Sequence, residues 1–502
     1  MTENRKIFLE RRSKKEEEIK IVIEKRKREA VPNRKSASLT KEDEIKERQE
    51  LIEEKLKFIK NILPDILKRL SQIPDPRQPI KVKHSIAVLT LYGILIFLYQ
   101  LTSRREANRE ITEPIFFDNL ESIFPELKTM PHADTLARLL ERIDLEVLSD
   151  EASNIIKAFI RKKKFKNLLI NKGYLIAIDG TGKFSRDRKW SKECLEKKVG
   201  KTVEGEEDKK KYYAYVVEAC LIFAGGLVLP FESEFLEYSP EITGEVKKDC
   251  ESKGFKRLVA RISKKFPKLK IAIVADGLFT NGPAIDLLKS KGWQYMIMLK
   301  DDSLTSVWDQ FNENMKMEKD INTFHQIWGN REQTFYFSNE IDYKYEQDGK
   351  VKRTEVHVIV CEETWEELKI DGTLEKKYSK YAWISDQSLT KKNIHIRCNL
   401  MGRARWWIES NILLEKHYGY SYEHCFSYTW QAMKGYHYLM HIAHIINAIM
   451  FKTEYFFKKV KEKTMRGVIK LFQKALQSTF LDKERFSKIL SQKHQIRFAD
   501  MQ

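Results

Sequence analysis

The sequence is poor in cysteine, with six residues in 502, at Cys194, Cys220, Cys250, Cys361, Cys398 and Cys425. None forms a CxxC pair, and so few over this length exclude a disulfide framework. Reduced thiols in a cytosol-like compartment are expected. A membrane span is also lacking. The apolar stretch Ile86 to Leu101, IAVLTLYGILIFLYQL, is about sixteen residues long against the roughly 20 that a span requires. Basic residues flank it on both sides (Lys81, Lys83, Arg104, Arg105), so it reads as a buried core helix and no membrane partner is expected. The opening residues MTENRKIFLERRSKKEEE carry charge from the start and no apolar h-region. No secretory signal is expected, and the location follows as cytoplasmic, nucleoid-associated in a prokaryote. No internal repeat is present. Acidic residues are in deficit: 73 Asp plus Glu against 92 Lys plus Arg leave a net charge of +19. A surplus of that size points to a polyanion, with nucleic acid ahead of a membrane surface or an acidic protein.

At roughly 150 residues per domain, the length suggests about three or four domains. Residues 1–60 alternate Glu and Lys in blocks, broken at Val31-Pro32-Asn33. They read as a charged helical or mobile arm, either solvated or touching DNA. Residues 61–168 read as a helical DNA-binding domain. Within it Ile73-Pro74-Asp75-Pro76-Arg77 is a rigid turn. Asp134 is the expected N-cap of a helix whose Leu136, Leu139, Leu140 and Ile143 recur at helical spacing.

Residues 169–300 change texture. Tyr174–Ile178 is a short strand ending in Asp179-Gly180-Thr181. A Lys-rich polar loop, 183–211, follows and reads as a solvated insertion that orders on DNA. Tyr212–Phe223, the Gly225-Gly226 turn and Leu227–Phe235 form a hairpin. An amphipathic helix spans about Gly244–Phe266, Leu269–Ala275 is a buried strand ending in Asp276-Gly277, and Pro283–Lys291 and Tyr295–Leu299 add a helix and a strand. The order β-β-β-α-β-α-β predicts a mixed sheet, hence an α/β core in a chain that is α+β overall. Residues 301–390 carry strand signals at Phe324–Trp328, Gln333–Phe337, Val356–Val360 and Tyr381–Ile384, with Asp348-Gly349 as a hairpin turn. Residues 391–450 return to helix, at Cys398–His417 and from about Ser427 to Val460, and 451–502 form a basic helical C-terminal region.

Asp179, Asp276 and Glu409 are the strongest chemical constellation. Carboxylates at strand ends, with a third on a packed helix, make an oxygen-rich pocket of the kind that hard divalent cations prefer. Two such ions activate a nucleophile and stabilise the leaving oxygen in phosphoryl transfer. That chemistry agrees with a polyanionic partner. Arg405, Glu409, Ile412 and Lys416 fall at i, i+4, i+7 and i+11 and share one face of the predicted helix. The two cations would hold phosphates, or Arg405 and Glu409 would form an ordinary surface ion pair.

The pattern R-x3-E-x6-K at Arg405, Glu409 and Lys416 resembles the Y-x2-R-x3-E-x6-K signature of the IS4-type DDE transposases. The strand ends IDGT and VADG look like the first two acidic sites of that superfamily, and the β-rich stretch between Asp276 and Glu409 looks like the insertion domain of its cut-and-paste members. The resemblance covers roughly residues 60–450. It departs at the signature tyrosine, whose position falls on Gly402. It implies an RNase H-like catalytic domain in two segments (169–300 and 391–450) around the insertion domain 301–390. It implies catalytic, metal-binding roles for Asp179, Asp276 and Glu409, with two Mg²⁺ ions for which Mn²⁺ can substitute. Arg405 and Lys416 would contact the DNA backbone, and Trp328 would stack on a flipped base. The implied partners are double-stranded DNA, as terminal inverted repeats and target, and a second copy of the chain in a synaptic complex. The alternatives are a catalytically inactive transposon-derived DNA-binding protein and a stand-alone RNase H-like nuclease.

Other residues have simpler readings. His437, His441 and His444 line one helical face and suggest either a zinc site or packing among Tyr436, Tyr438 and Met440. Glu232 and Glu234 share a strand face, as extra ligands or as solvated or paired carboxylates. Trp406 and Trp407 are expected to wedge their helix onto the sheet, and a packed core role is the alternative for Trp328.

Overall fold

The computed structural model describes residues 3–26, 38, 40–199, 209–238, 249–318, 320–369 and 372–500. They form a mixed α/β protein. Eight helices come first: α1 (Glu3–Arg26), α2 (Lys41–Ile59), α3 (Leu63–Leu70), α4 (Ile86–Leu98), α5 (Arg104–Glu110), α6 (Pro114–Ile123), α7 (Ala133–Leu140) and α8 (Glu146–Arg161). Strands β1 (Tyr174–Arg186), β2 (Leu195–Lys198), β3 (Lys210–Phe223) and β4 (Leu227–Leu236) follow, then α9 (Glu251–Lys265), β5 (Ile271–Ala275), α10 (Gly282–Ser290), β6 (Gln294–Met298) and α11 (Thr305–Glu318). Next are β7 (Thr323–Trp328), β8 (Arg331–Gln347), β9 (Lys350–Leu368) and β10 (Leu374–Ser385), and the chain closes with α12 (Trp406–His417), α13 (Trp430–Met450), α14 (Glu454–Lys463), α15 (Met465–Leu476) and α16 (Lys483–Ser491). The chain divides into two compact units, residues 38–269 with 406–502 and residues 1–37 with 270–405.

In the larger unit, α4 is the core helix expected from its apolar run. Ser85 caps it by accepting the Val88 N–H, and Leu89 to Leu98 are all buried. Burying each such Leu or Ile side chain contributes roughly 1.5–3 kcal/mol. No described helix is long and apolar enough to cross a membrane. α4, α7 and α13 pack on one another, and two glycines permit the close approach. A Cβ at Gly93 would lie 2.6 Å from Leu439, and one at Gly435 would lie 2.9 Å from Leu140.

The sheet of this unit is antiparallel. β3 pairs with β1 along one edge and with β2 and β4 along the other. The β3–β4 turn uses Gly225 and Gly226 at φ +72° and +71°, a conformation open to glycine. The register aligns Asp179 with Glu218 and Glu218 with Ser233. Opposed residues share a face, so the three form one row across β1, β3 and β4. α8, α9 and α13 pack on β4, and α12 packs on β1 and β3.

Several local expectations are corrected here. β1 does not stop at Asp179 but pairs with β3 as far as Arg186. Lys183 is therefore a buried strand residue rather than a member of a solvated loop. β2 occupies more of that loop, and residues 200–208 lie outside the described ones. The N-cap of α7 is His132, whose Nδ1 accepts the Asp134 N–H; Asp134 sits inside the first turn. α9 begins at Glu251, and the earlier start expected for it falls on residues outside the described ones. The long helix expected from Ser427 is broken between α13 and α14.

The strands of the second unit run in the order β5-β6-β10-β9-β8-β7, with β5 and β6 parallel and the other pairs antiparallel. The long hairpin β8–β9 turns at Asp348 and Gly349, at φ +53° and +70°, a pair of positive values that suits a tight hairpin. The region expected to be β-rich also holds α11, whose Val307 and Phe311 are buried. The single helix expected over Cys398–His417 does not form. A π-turn at His395–Met401 and a 3₁₀ turn at Gly402–Arg405 precede α12.

Gly282 at the start of α10 offers a direct check on packing. A Cβ there would lie 2.2 Å from the ring of Tyr345, and the Tyr345 hydroxyl is tied to Asp286, so the ring cannot swing aside freely. Gly282→Ala is expected to destabilise the protein by about 1–3 kcal/mol, seen as a fall in thermal midpoint. An unchanged midpoint would contradict this packing.

Candidate functional site

Asp276 follows the buried strand β5 (Ile271–Ala275) in the second unit. A run of five buried apolar residues fixes the strand and delivers the aspartate to its end. Lys300 places its Nζ 3.3 Å from Asp276 Oδ2. Its backbone is held by the Ser303 N–H and the Trp308 indole N–H, both donating to Lys300 O at 3.1 and 2.9 Å. Its stem passes over Gly277, where a Cβ would lie 2.8 Å from Lys300 Cγ. Burial pushes the Asp276 carboxyl up, but the Gly277 N–H, Lys300 and Arg405 outweigh it and hold the group below the usual carboxylate range. Asp276 is thus kept ionised, as a metal ligand must be.

Arg405 is buried, at 4% exposure, in the 3₁₀ turn that packs on β5. That turn packs tightly at Gly402. A Cβ at Gly402 would lie 2.8 Å from the Trp383 indole nitrogen, so the backbone approaches the ring at a distance no side chain permits. Arg397, unremarked in the sequence, anchors the preceding π-turn. It is buried and donates to Tyr295 O at 2.8 Å, Ser385 Oγ at 2.6 Å and Asp386 Oδ1 at 2.5 Å. Trp328 ends β7 and is half-buried; the Arg403 guanidinium lies 5.2 Å from its ring centre and His395 meets it edge-on at 6.5 Å.

In the larger unit, Asp179 lies within β1, half-buried, with its Oδ1 accepting the Gly180 N–H at 2.9 Å. Glu409 lies in the first turn of α12, also half-buried, and α12 packs on β1. Asp179 and Glu409 thus belong to one unit and Asp276 to the other. Lys416, later on α12, pairs with Glu423 at 3.0 Å and lies over the Tyr422 ring. Of the two tryptophans expected as wedges, Trp407 is half-buried, but Trp406 is 46% exposed.

The row that contains Asp179 continues into a buried polar cluster. Glu218 accepts from Tyr422 OH and Ser233 Oγ, both at 2.6 Å. Lys183 donates to Tyr422 O at 3.0 Å and stands 3.3 Å from His437 Nδ1. Burial brings the Lys183 ammonium down to about 8. Glu415 on α12 is bonded by His444 Nδ1 at 2.6 Å. Burial alone would raise the Glu415 carboxyl, yet His441 and His444 overcome it and hold it at about 2. Burial raises Glu218 above the usual range and drives His437 well below its own. His437, His441 and His444 are all buried on α13, as are Tyr436, Tyr438 and Met440.

Glu232 and Glu234 are buried and paired rather than solvated. Glu232 takes Lys265 at 2.7 Å and Ser153 at 2.9 Å, and Glu234 takes Arg261 at 2.7 Å and is also bonded by Arg257. Sequence reasoning missed Glu218, Glu415, Lys183 and Lys300. The first had a signal: a lone charge inside the apolar run Val216-Val217-Glu218-Ala219-Cys220.

A family model described as DDE_Tnp_1-associated matches residues 67–154, within the helical region of the larger unit. No curated protein matches the chain. Among solved structures, the chain is similar to the piggyBac transposase synaptic complex with hairpin DNA determined by cryo-EM, at 14% identity and a TM-score of 0.35, over 88% of this chain and 85% of that one. A likeness that slight carries no argument about this chain.

The Lys300 contact has a measurable consequence. Lys300→Ala removes a cation that favours the charged carboxylate, so the Asp276 pKa rises toward the ordinary aspartate range. Carboxyl-carbon NMR titration of the full chain reads this shift. An Asp276 titration unmoved by the substitution would show that the ammonium does not act on it.

Proposed function

We propose that the chain is a DDE-type transposase, of the IS4-type group. In this reading it binds terminal inverted repeats in double-stranded DNA and carries out metal-dependent strand cleavage and strand transfer, by cut-and-paste. The observation that carries the reading is a mid-strand carboxylate, Asp179, on the strand against which the Glu409 helix packs, downstream of a segment matched to a family named for its association with DDE transposases. The basic surplus of +19 supports a polyanionic partner. Two ends held for joining call for two copies of the chain, and a homodimer belongs to the proposal.

Asp179, Asp276 and Glu409 are the proposed ligands of two Mg²⁺ ions. Their donor set fits, since all three offer the hard carboxylate oxygens that Mg²⁺ selects, and Asp276 is held ionised by its neighbours. Bound divalent ions supply a nucleophilic water or hydroxyl and stabilise the departing oxygen. The chain's own residues hold and orient. The Gly180 N–H fixes one oxygen of Asp179. Lys300 stands at the Asp276 carboxylate as a counter-ion and would offer a cation to a DNA phosphate beside it. Lys416, on the helix of Glu409, and the half-buried Trp328 beside Arg403 are the proposed DNA contacts, and Arg405 acts on the site through Asp276.

The test uses DNA carrying the short inverted repeats that should flank the gene. Asp179→Asn, Asp276→Asn and Glu409→Gln are each expected to lower Mg²⁺-dependent cleavage by about 100-fold or more, while binding to the repeat is retained. EDTA is expected to stop the wild-type reaction. Near-wild-type cleavage by any of the three variants would remove that residue from the site.

A further inference from the structure

We propose that Glu218, His437 and His441 form a second metal site, for one zinc-class transition-metal ion, in the core of the larger unit. It is separate from the proposed Mg²⁺ carboxylates. His437 and His441 are four residues apart on α13, which puts both imidazoles on one face a turn apart. Glu218 faces them from β3. One donor atom from each of the three lies within 4.8 Å of the others, and all three side chains are at most 2% exposed. The Glu218 oxygens stand 3.4 Å from His437 Nε2 and 3.9 Å from His441 Nε2.

The decisive atom is His441 Nε2. It is buried and has no hydrogen-bond partner. It points between two carboxylates, Glu218 at 3.9 Å and Glu415 Oε1 at 3.7 Å. Both separations are too long for hydrogen bonds. They are close to the spacing of about 3.4 Å between ligands that each sit about 2.0–2.1 Å from a tetrahedral zinc ion. A small inward movement of these donors onto one ion satisfies an atom that the protein alone leaves unpaired. Glu415, bonded by His444 at 2.6 Å, adds a second carboxylate beside His441.

The donor set selects the ion. Two imidazoles with a carboxylate suit zinc and its neighbours rather than Mg²⁺, which wants oxygen alone. Charge balances as well. The carboxylates of Glu218 and Glu415 neutralise a dication when His437 and His441 bind as neutral imidazoles. With Nε2 of His437 on the metal, its Nδ1 would carry the proton, and Lys183 Nζ, 3.3 Å away, would have to give up one of its own to accept it. Metal uptake therefore releases protons. A site so enclosed is structural. It would tie α13 to β3 at the residue directly opposite Asp179 in the β1–β3 ladder.

Co²⁺ titration of the full-length chain in excess Mg²⁺ tests this, read by visible absorption and by metal analysis. The expected result is one Co²⁺ per chain in a tetrahedral, strongly absorbing environment, displaced by Zn²⁺. Affinity is expected to fall about 100-fold in His441→Ala and in Glu218→Gln and to stay unchanged in Asp179→Asn, which separates this site from the Mg²⁺ carboxylates. Absence of stoichiometric Co²⁺ from the folded wild-type chain would overturn the proposal, as would undiminished uptake in both site variants. Circular dichroism reports whether the variants fold; if they do not, the wild-type stoichiometry and its displacement by Zn²⁺ decide.

Discussion

A carboxylate taken out of water must be paired or neutralised, because its desolvation costs several kcal/mol. Glu218 lies in the middle of an apolar strand and is 1% exposed. The packing around it meets that demand from four directions. β4 supplies Ser233, the segment after α12 supplies Tyr422, α13 supplies His437 and His441, and β1 supplies Lys183. Each partner fixes the element that bears it, so one buried carboxyl group ties together β1, β3, β4 and α13. Asp179 inherits that rigidity as the cross-strand neighbour of Glu218. Glu232, adjacent to Ser233 on β4, has the same effect on its own surroundings: Ser149, Ser153, Arg261 and Lys265 converge on it and join α8 and α9 to the strand.

The second unit uses close backbone approach instead. Gly277 lets the Lys300 stem lie across the chain beside Asp276, and Gly402 lets the 3₁₀ turn press on Trp383. Arg397, buried among acceptors from β6 and the end of β10, holds the π-turn that leads there. Glycine at 402 is thus a packing requirement of this chain.

Local signals were legible in the sequence. The apolar run of α4, the Gly225-Gly226 and Asp348-Gly349 turns, and the carboxylate at the end of β5 each depend on a few neighbouring residues. What was hidden depends on distant partners. β1 runs past Asp179 because β3 is long enough to pair with it, and no feature of Gly180–Arg186 states that. The expected face of Arg405, Glu409 and Lys416 assumed one continuous helix, whereas contacts of Arg397 and Gly402 interrupt it. α11 was missed because its surface is polar and only Val307 and Phe311 are buried. Trp406 looked like a wedge by composition, but it is exposed, which composition does not state. Glu218 was readable as a lone charge in an apolar strand, yet its partners were not.

The central claim is that these carboxylates act through divalent metal on a DNA phosphodiester. A cleavage substrate whose departing 3′ oxygen is replaced by sulfur tests it most directly. Mg²⁺ binds sulfur poorly and softer Mn²⁺ binds it better. If a metal held by the chain stabilises the leaving atom, cleavage of the sulfur substrate is lost in Mg²⁺ and restored in Mn²⁺, and Glu409→Gln shows no restoration. Equal cleavage of oxygen and sulfur substrates in Mg²⁺, or restoration by Mn²⁺ that survives the loss of Glu409, would contradict the account.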